Sequence, residues 1–326
     1  MIGRIGFILR RLGKAVAVIF AIIVLNFLLI RATPGDPALV IAGEAGAADQ
    51  KYLDDLRHEF GLDRPLWVQL ALYVGHVAEG DLGYSYRQRL PVATLIAERL
   101  PATLLLTGSA MGLALVVGVG LGALAAVRAG TLADSVITAL ALLVFATPSF
   151  WLGLMAVLLF SVELDWLPLF GMTSVGANYT GLSLVSDVLR HLILPAGTLG
   201  LFFVAIYARL TRASMLEVAD LDYVRTARAK GLSEPRVVRR HILRNALLPV
   251  VSYAGLQAGY LVGGSVLIET VFAWPGIGRL AFDAVIGRDY TLLLGVFIIT
   301  SIMVIAFNLL TDVVYTLIDP RIGATG

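Results

Sequence analysis

The sequence predicts an all-α, polytopic membrane protein of six transmembrane helices with both termini cytoplasmic. Three observations carry this reading. Of 326 residues, 58% are hydrophobic and 15% charged, and the mean hydropathy is +0.86, a balance that soluble domains do not have. Six apolar runs are each long enough to cross about 30 Å of hydrocarbon at 1.5 Å per residue. Of the 25 lysines and arginines, 15 fall in the N-terminus, at Arg128, in Arg209–Arg244 and at Arg321, and such enrichment marks cytoplasmic connections.

The first run, Leu12–Ile30, follows Arg4, Arg10, Arg11 and Lys14. A signal peptide also starts this way, but the run is long for a signal core and Arg31-Ala32-Thr33-Pro34 is a poor cleavage site. Residues 1–31 are therefore read as a cytoplasmic start plus an uncleaved first span. Residues 32–98 form a mostly polar, acid-rich extracytoplasmic segment. In it, Tyr52–Phe60 reads as a helix stopped at Gly61, and Pro65–Val77 as a second helix with Trp67, Leu70 and Val74 on one face. Gly80-Asp81-Leu82-Gly83 reads as a turn. The segment is too short for a large core of its own and is expected to fold against the membrane domain.

Residues 99–320 supply the other five spans, at Pro101–Val127, Leu132–Phe160, Leu192–Leu210, Leu247–Phe272 and Thr291–Ile318, and 321–326 is a cytoplasmic tail. Gly112, Gly118, Gly120, Gly122, Gly255, Gly259, Gly263 and Gly264 allow close helix packing. Pro148-Ser149-Phe150-Trp151 is expected to kink the third span. Glu269 and Asp312 lie near span ends, where solvation costs little. Small hydroxyl and amide side chains, Thr103, Thr107, Ser109, Thr138, Gln257 and Ser265, are candidates to line a polar pathway, though each can instead bond its own helix backbone.

Between the fourth and fifth spans lies a basic island, Asp222–Pro249, within a cytoplasmic loop at about 213–246. It carries Arg225, Arg228, Lys230, Arg236, Arg239, Arg240 and Arg244. Asp220 or Asp222 can cap a short helix, and Gly231 suits the left-handed turn that ends it. Ser233 can cap a second helix with Pro235 in its first turn, and Leu248-Pro249 is expected to open the fifth span. Two helices held at a glycine corner make a rigid knob suited to docking. A basic loop held by anionic lipids is the other reading of the same charges.

The chain lacks several chemistries. No Gly-x-x-x-x-Gly-Lys-Ser/Thr phosphate loop occurs, so the chain shows no site for hydrolysing ATP. There is no cysteine, no pair among His58, His76, His191 and His241 at metal-ligand spacing, and no nucleophile elbow. No metal site, catalytic residue or nucleic-acid partner is expected.

The basic island resembles the cytoplasmic coupling loop of ABC-importer permeases, whose motif is Glu-Ala-Ala, three residues, Gly and a later Leu-Pro. Here Arg225-Thr226-Ala227 stands for Glu-Ala-Ala ahead of Gly231, and Leu-Pro falls five residues late. Both departures resemble the peptide/nickel subfamily, as do Thr33-Pro34-Gly35-Asp36-Pro37, the Gly80–Ser85 stretch, Arg209–Glu217, Glu269–Arg279, Arg288-Asp289-Tyr290 and Asp319-Pro320-Arg321. The resemblance implies a bacterial inner-membrane permease subunit that imports peptides, with nickel chelates or other small solutes as the alternative cargo. An ATPase-independent channel or membrane scaffold is the alternative of another class.

The implied partners are a second, homologous permease, two cytoplasmic ATPases that bind ATP and Mg, an extracytoplasmic solute-binding protein, and membrane lipid. The ATPase-coupling residues would be Asp222, Tyr223, Arg225, Thr226, Ala227, Lys230, Gly231, Leu232 and Ser233. Glu269, Trp274, Pro275 and Gly276 would form an outer loop at the extracytoplasmic mouth, with Phe272 and Trp274 anchored near the headgroups.

The charge asymmetry makes a topology prediction. Single cysteines at position 60 or 180 should react with an impermeant reagent applied to intact cells, and one at position 230 should not. Labelling of position 230 from outside would reverse the orientation.

Overall fold

A chain crossing hydrocarbon must pair its backbone N–H and C=O groups internally, and a helix does this within one segment. The protein, seen here as a computed structural model that describes residues 2–32, 64–262 and 265–318, is helical almost throughout those residues. In order, α1 is Ile2–Ala32 and α2 is Leu66–Ala78; a hairpin of β1 (Tyr84–Ser85) and β2 (Leu90–Pro91) follows. Then come α3 (Val92–Val127), α4 (Leu132–Ala146), α5 (Ser149–Val157, widened into a π turn at Leu158–Glu163) and α6 (Leu182–Ala219). The remainder is α7 (Asp222–Ala229), α8 (Glu234–Val237, continuing as a π turn over Val238–Leu243), α9 (Arg244–Val262), α10 (Val266–Val271), α11 (Ile277–Gly287) and α12 (Tyr290–Ile318). The expected helix Tyr52–Phe60, the Pro-Gly-Asp-Pro turn and Asp319-Pro320-Arg321 lie outside the described residues.

Helices α3 and α6 form the central pair. They approach so closely that a Cβ at Gly118 would stand 2.8 Å from Tyr207 Cβ, and one at Gly122 would stand 2.4 Å from the Ala208 carbonyl oxygen. Gly200 of α6 packs in the same way on the backbone of Ala110. Glycine at the contact lets backbones approach and pack where no side chain fits. Gly112 and Gly120, two of the glycines expected to serve packing, have nothing within 4 Å of an added Cβ. A second glycine contact joins α9 to α12, where a Cβ at Gly255 would overlap Thr311 and one at Gly259 would meet Asn308 Oδ1.

Several expected boundaries are corrected. Helix α3 starts at Val92, so the division between residues 98 and 99 falls inside one continuous helix. Its first turns stay helical because Val92, Leu95 and Ile96 pack on Ile277, Leu280, Leu292 and Val296, and Pro101 interrupts only the local bonding. The third span is not kinked but broken: α4 and α5 meet at 99°. Thr147 before Pro148 takes extended angles (φ −88°, ψ 131°), as a residue preceding proline is biased to do. The helix within the expected fifth span is α9, Arg244–Val262, and what was read as its outer end is the short helix α10. Leu248-Pro249 does not open a span; Pro249 lies inside α9, in helical structure that runs unbroken from Glu234. A π turn lies upstream, at Val238–Leu243.

The glycine contact makes a stability prediction. Gly122→Leu should lower the yield and melting temperature of detergent-extracted protein, since overpacking costs about 1–3 kcal/mol or more. Gly120→Ala, with open space around it, should change neither. Equal melting of both variants would contradict the α3–α6 contact.

Candidate functional site

Two built regions hold nearly all the candidate residues, at opposite ends of α6. The first is the corner of the basic island. Helix α7 forms from Asp222 to Ala229, and its N-cap is Leu221 rather than Asp220 or Asp222. Leu221 is extended (φ −72°, ψ 144°) and its carbonyl accepts from the amides of Val224 at 3.0 Å and Arg225 at 3.3 Å. Asp222 therefore sits in the first turn, where its charge suits the helix dipole, and it pairs with Arg225 at 3.7 Å.

The far end closes as the sequence predicts. Gly231 has φ +76°, its amide donates to the Arg228 carbonyl at 2.9 Å, and the Leu232 amide donates to the Ala227 carbonyl at 3.4 Å. This is a Schellman turn, including the apolar contact it favours, since Leu232 and Ala227 share one cluster. Ser233 is the N-cap of α8 by backbone geometry, with no capping bond from its hydroxyl.

Further bonds fix the angle of the corner, through Glu234 and Asn245, which sequence reasoning did not single out. Glu234 grips the Arg228 guanidinium with both oxygens, at 2.8 and 3.2 Å, across the glycine turn. That bond holds the Glu234 carboxyl below its usual range and raises Arg228. Both groups are largely exposed, so the pair contributes about 0.2–1 kcal/mol; its use is geometric. Asn245 Nδ2 donates to Tyr223 Oη at 2.7 Å and to the His241 carbonyl at 2.9 Å, and Tyr223 Oη donates to that carbonyl at 3.2 Å. Tyr223 thus ties α7 to the π turn that leads into α9.

The corner has two faces. Val224, Ala227, Val237, Ile242 and Ala246 are buried with Met215 of α6, and Ala123 and Ala126 of α3 pack against them. Of the nine proposed coupling residues, Ala227 is thus an anchor into the membrane helices and Leu232 is half-buried beside it. Asp222, Tyr223, Arg225, Thr226, Lys230, Gly231 and Ser233 face outward. The three-residue spacing of Val224 and Ala227 was legible as one helix face; the Glu234 and Asn245 bonds had no sequence signal.

The second region corrects the expectation for the outer loop. Trp274 is not at a headgroup surface: it is 0% exposed, and its Nε1 donates to the Ala102 carbonyl of α3 at 2.8 Å. Phe272 is buried beside it, Pro275 is half-buried and Gly276 buried. Glu269, expected where solvation is cheap, is also 0% exposed. Its carboxylate accepts from the Arg279 amide at 2.8 Å in the first turn of α11, and from Thr103 Oγ1 at 3.1 Å.

Burial of a carboxylate is tolerated there because a helix N-terminus offers unpaired N–H groups and the positive end of its dipole. Gly276 leaves room for it: a Cβ at that position would lie 2.3–2.5 Å from the carboxylate. Thr103 completes the knot by accepting from the Ile277 amide at 2.7 Å. A hairpin braces the same end, where Ser85 Oγ donates to Asp289 Oδ2 and Asp289 caps α12 through the Leu292 amide at 3.0 Å.

The pathway candidates do not form one wall. Thr103 belongs to the Glu269 knot, Thr107 donates to its own helix at the Thr103 carbonyl, and the Ser265 carbonyl accepts the Glu269 amide. Ser109 and Gln257 are half-buried on α3 and α9. Thr138 lies beside Asp134, which Arg212 of α6 grips through Nε and, at 2.7 Å, Nη2. No group of side chains with metal-site geometry occurs among the described residues.

Residues 118–324 match the family model described as binding-protein-dependent transport system inner membrane component, and residues 4–107 match its N-terminal companion. The dipeptide transport system permease protein DppB of Escherichia coli K12 is 42% identical, over 97% of this chain and 98% of its own length. The di/tripeptide transport system permease protein DppB of Pseudomonas aeruginosa UCBPP-PA14 is 43% identical over 98% of both. Among solved structures, an inward-facing conformation of the MetNI methionine ABC transporter is similar with a TM-score of 0.56 at 21% identity, covering 69% of this chain and 96% of that one. At that identity the likeness concerns the fold.

The corner makes a prediction. At Gly231 an added Cβ meets nothing within 4 Å, so Gly231→Val is opposed by backbone conformation alone, at about 1–2 kcal/mol. The variant should reach the membrane at normal abundance with α7 misdirected, and lose transport together with ATPase association or stimulated ATP hydrolysis. The exposed Arg236→Gln should be much milder. Normal stimulated hydrolysis in Gly231→Val would remove coupling from this corner.

Proposed function

Because this chain belongs to the family of binding-protein-dependent transport system inner membrane components, a multi-pass permease subunit of an ABC importer, we propose that it forms half of a translocation pathway for short peptides. In this reading six spans cross the membrane, both termini are cytoplasmic and the corner at Gly231 meets an ATPase. The cargo follows the dipeptide and di/tripeptide permeases that share over 40% of the sequence along nearly the whole chain. A second, homologous permease completes the pathway, two ATPases bind ATP and Mg, and a solute-binding protein delivers peptide from outside.

The observation that carries the coupling role is the two-faced corner. Its inner face is an apolar plug shared by α3, α6 and the start of the α8–α9 segment. Its outer face presents Tyr223, Arg225, Lys230 and Gly231, with Arg236, Arg239, Arg240 and Arg244 also exposed nearby, which suits an acidic groove on the partner. When the ATPases close on ATP, a displaced α7 cannot swing freely. The Schellman turn, the Arg228–Glu234 bridge and the Tyr223–Asn245 bond pass the movement to α9, while Val224 and Ala227 pass it to α3 and α6. Such a rigid-body shift is the usual way that ligand closure at one site is converted into altered access at another.

The test is reconstitution into liposomes with the proteins that co-purify in mild detergent. Dialanine uptake should require ATP and be stimulated at least tenfold by the loaded binding protein. ATP-independent flux would favour a channel, and uptake of a nickel chelate but not dialanine would replace the cargo.

A further inference from the structure

Close to the coupling corner, α4, α6 and α9 enclose a groove of about 530 Å³ lined by Thr138, Phe145, Arg209, Leu210, Arg212 and Tyr253, among others. Its size is that of a small-ligand site. Its two arginines are in different electrostatic situations. Arg212 is neutralised by the bidentate bond to the buried Asp134. Arg209 has no carboxylate partner among the described residues; its guanidinium lies over the Phe145 ring, 5.8 Å from the centroid. A guanidinium drawn to a ring face keeps N–H groups free for a further partner. Such groups bind a carboxylate by two parallel bonds.

The walls are built rather than incidental. Phe145 stacks on Phe202, 5.6 Å between centroids, and Tyr253 stands edge-on to Tyr207 at 6.1 Å. Tyr207 is itself wholly buried at the α3–α6 contact. The groove therefore sets an exposed cation, with no carboxylate partner among the described residues, against apolar aromatic walls. Arg209 also lies six residues, about 9 Å of helix rise, before Met215, which is buried in the plug of the corner. Movement of the corner would shift the groove.

We propose that this groove binds the C-terminal carboxylate of the peptide on the inner half of the pathway. Arg209 holds the carboxylate, and Phe145, Leu210 and Tyr253 hold the adjoining side chain. The assignment rests on the peptide reading above and adds to it a charge requirement at one end of the cargo. The same chemistry, an anion with an apolar flank, is also offered by a fatty acid or an anionic lipid headgroup, and the experiment separates these sources.

The complete transporter in nanodiscs, without ATP, is photolabelled with photoleucyl-alanine or with its C-terminal amide, and the labelled segments are mapped. The free acid should label α4, α6 or α9 around the groove at least tenfold more than the amide. Arg209→Gln should reduce acid labelling to the amide level and slow dialanine uptake about tenfold, while Arg209→Lys retains an intermediate level. Equal labelling by acid and amide in the unmodified protein overturns the proposal, and this arm needs no variant to fold. Acid labelling abolished by oleate or phosphatidylglycerol at low mole fraction, with uptake unaffected by Arg209→Gln, assigns the groove to lipid and also overturns it. An unmodified transporter that moves no dialanine with ATP overturns the peptide reading, and the ligand assigned to the groove with it.

Discussion

The backbone-to-backbone approach of α3 and α6 is the constraint on which the rest of the molecule depends. Gly118 and Gly122 leave no room for a methyl group against Tyr207 and Ala208, and Gly200 packs closely on Leu113 and Ala110. In hydrocarbon there is no hydrophobic drive to press two helices together, so close van der Waals packing has to supply it. With that pair fixed, both working ends of the protein are hung on it. The corner of the basic island seats on Met215, Ala123 and Ala126 at one end. Trp274 and Glu269 engage Ala102 and Thr103 at the other. From Leu194, packed with Trp274, to Met215 the α6 axis rises about 30 Å, so one stiff helix joins the two.

The knot around Glu269 shows how a buried charge is made tolerable in such a protein. A carboxylate removed from water loses several kcal/mol of solvation. Here part of the loss is offset by amide and hydroxyl donors already fixed in place by α11 and α3. The same donors would be unsatisfied without it, so the glutamate and the helix N-terminus each answer the other's need. Gly276 is part of the arrangement because its missing side chain is the space the carboxylate fills. What reads as an exposed aromatic anchor with a Pro-Gly turn is therefore an internal lock between α3, α10 and α11.

The corner of the basic island has the opposite design, with weak polar bonds outside and an apolar anchor inside. None of its outer bonds is strong alone, and the Arg228–Glu234 bridge stands in water. Together with the Schellman turn they leave the two helices one relative orientation, which a docking element needs more than it needs stability. The π turn at Val238–Leu243 and the unbroken helix beyond it place Pro249 downstream of the corner rather than at a break. From α8 to α9 the backbone is therefore one continuous helix.

Much of this was legible in the sequence because it is written in local chemistry. Apolar runs located the helices of the membrane domain, Gly231 marked the left-handed turn, Ser233 marked the start of α8, and the wording around Arg225-Thr226-Ala227 identified the family. Local signals failed where a distant partner decided the outcome. Glu269 reads as a span-end acid until α11 brings its amides to it, and Trp274 reads as a headgroup anchor until Ala102 offers a carbonyl. Thr103 reads as a pathway hydroxyl until it is seen bridging Glu269 and Ile277. The sequence by itself determined the cores of the long apolar helices and the glycine turn at Gly231, since propensity and glycine act within a few residues. Only the tertiary structure decided which polar groups are buried and which arginine of the Arg209–Arg212 pair has no carboxylate partner among the described residues, because burial and pairing are properties of neighbours far apart in the chain.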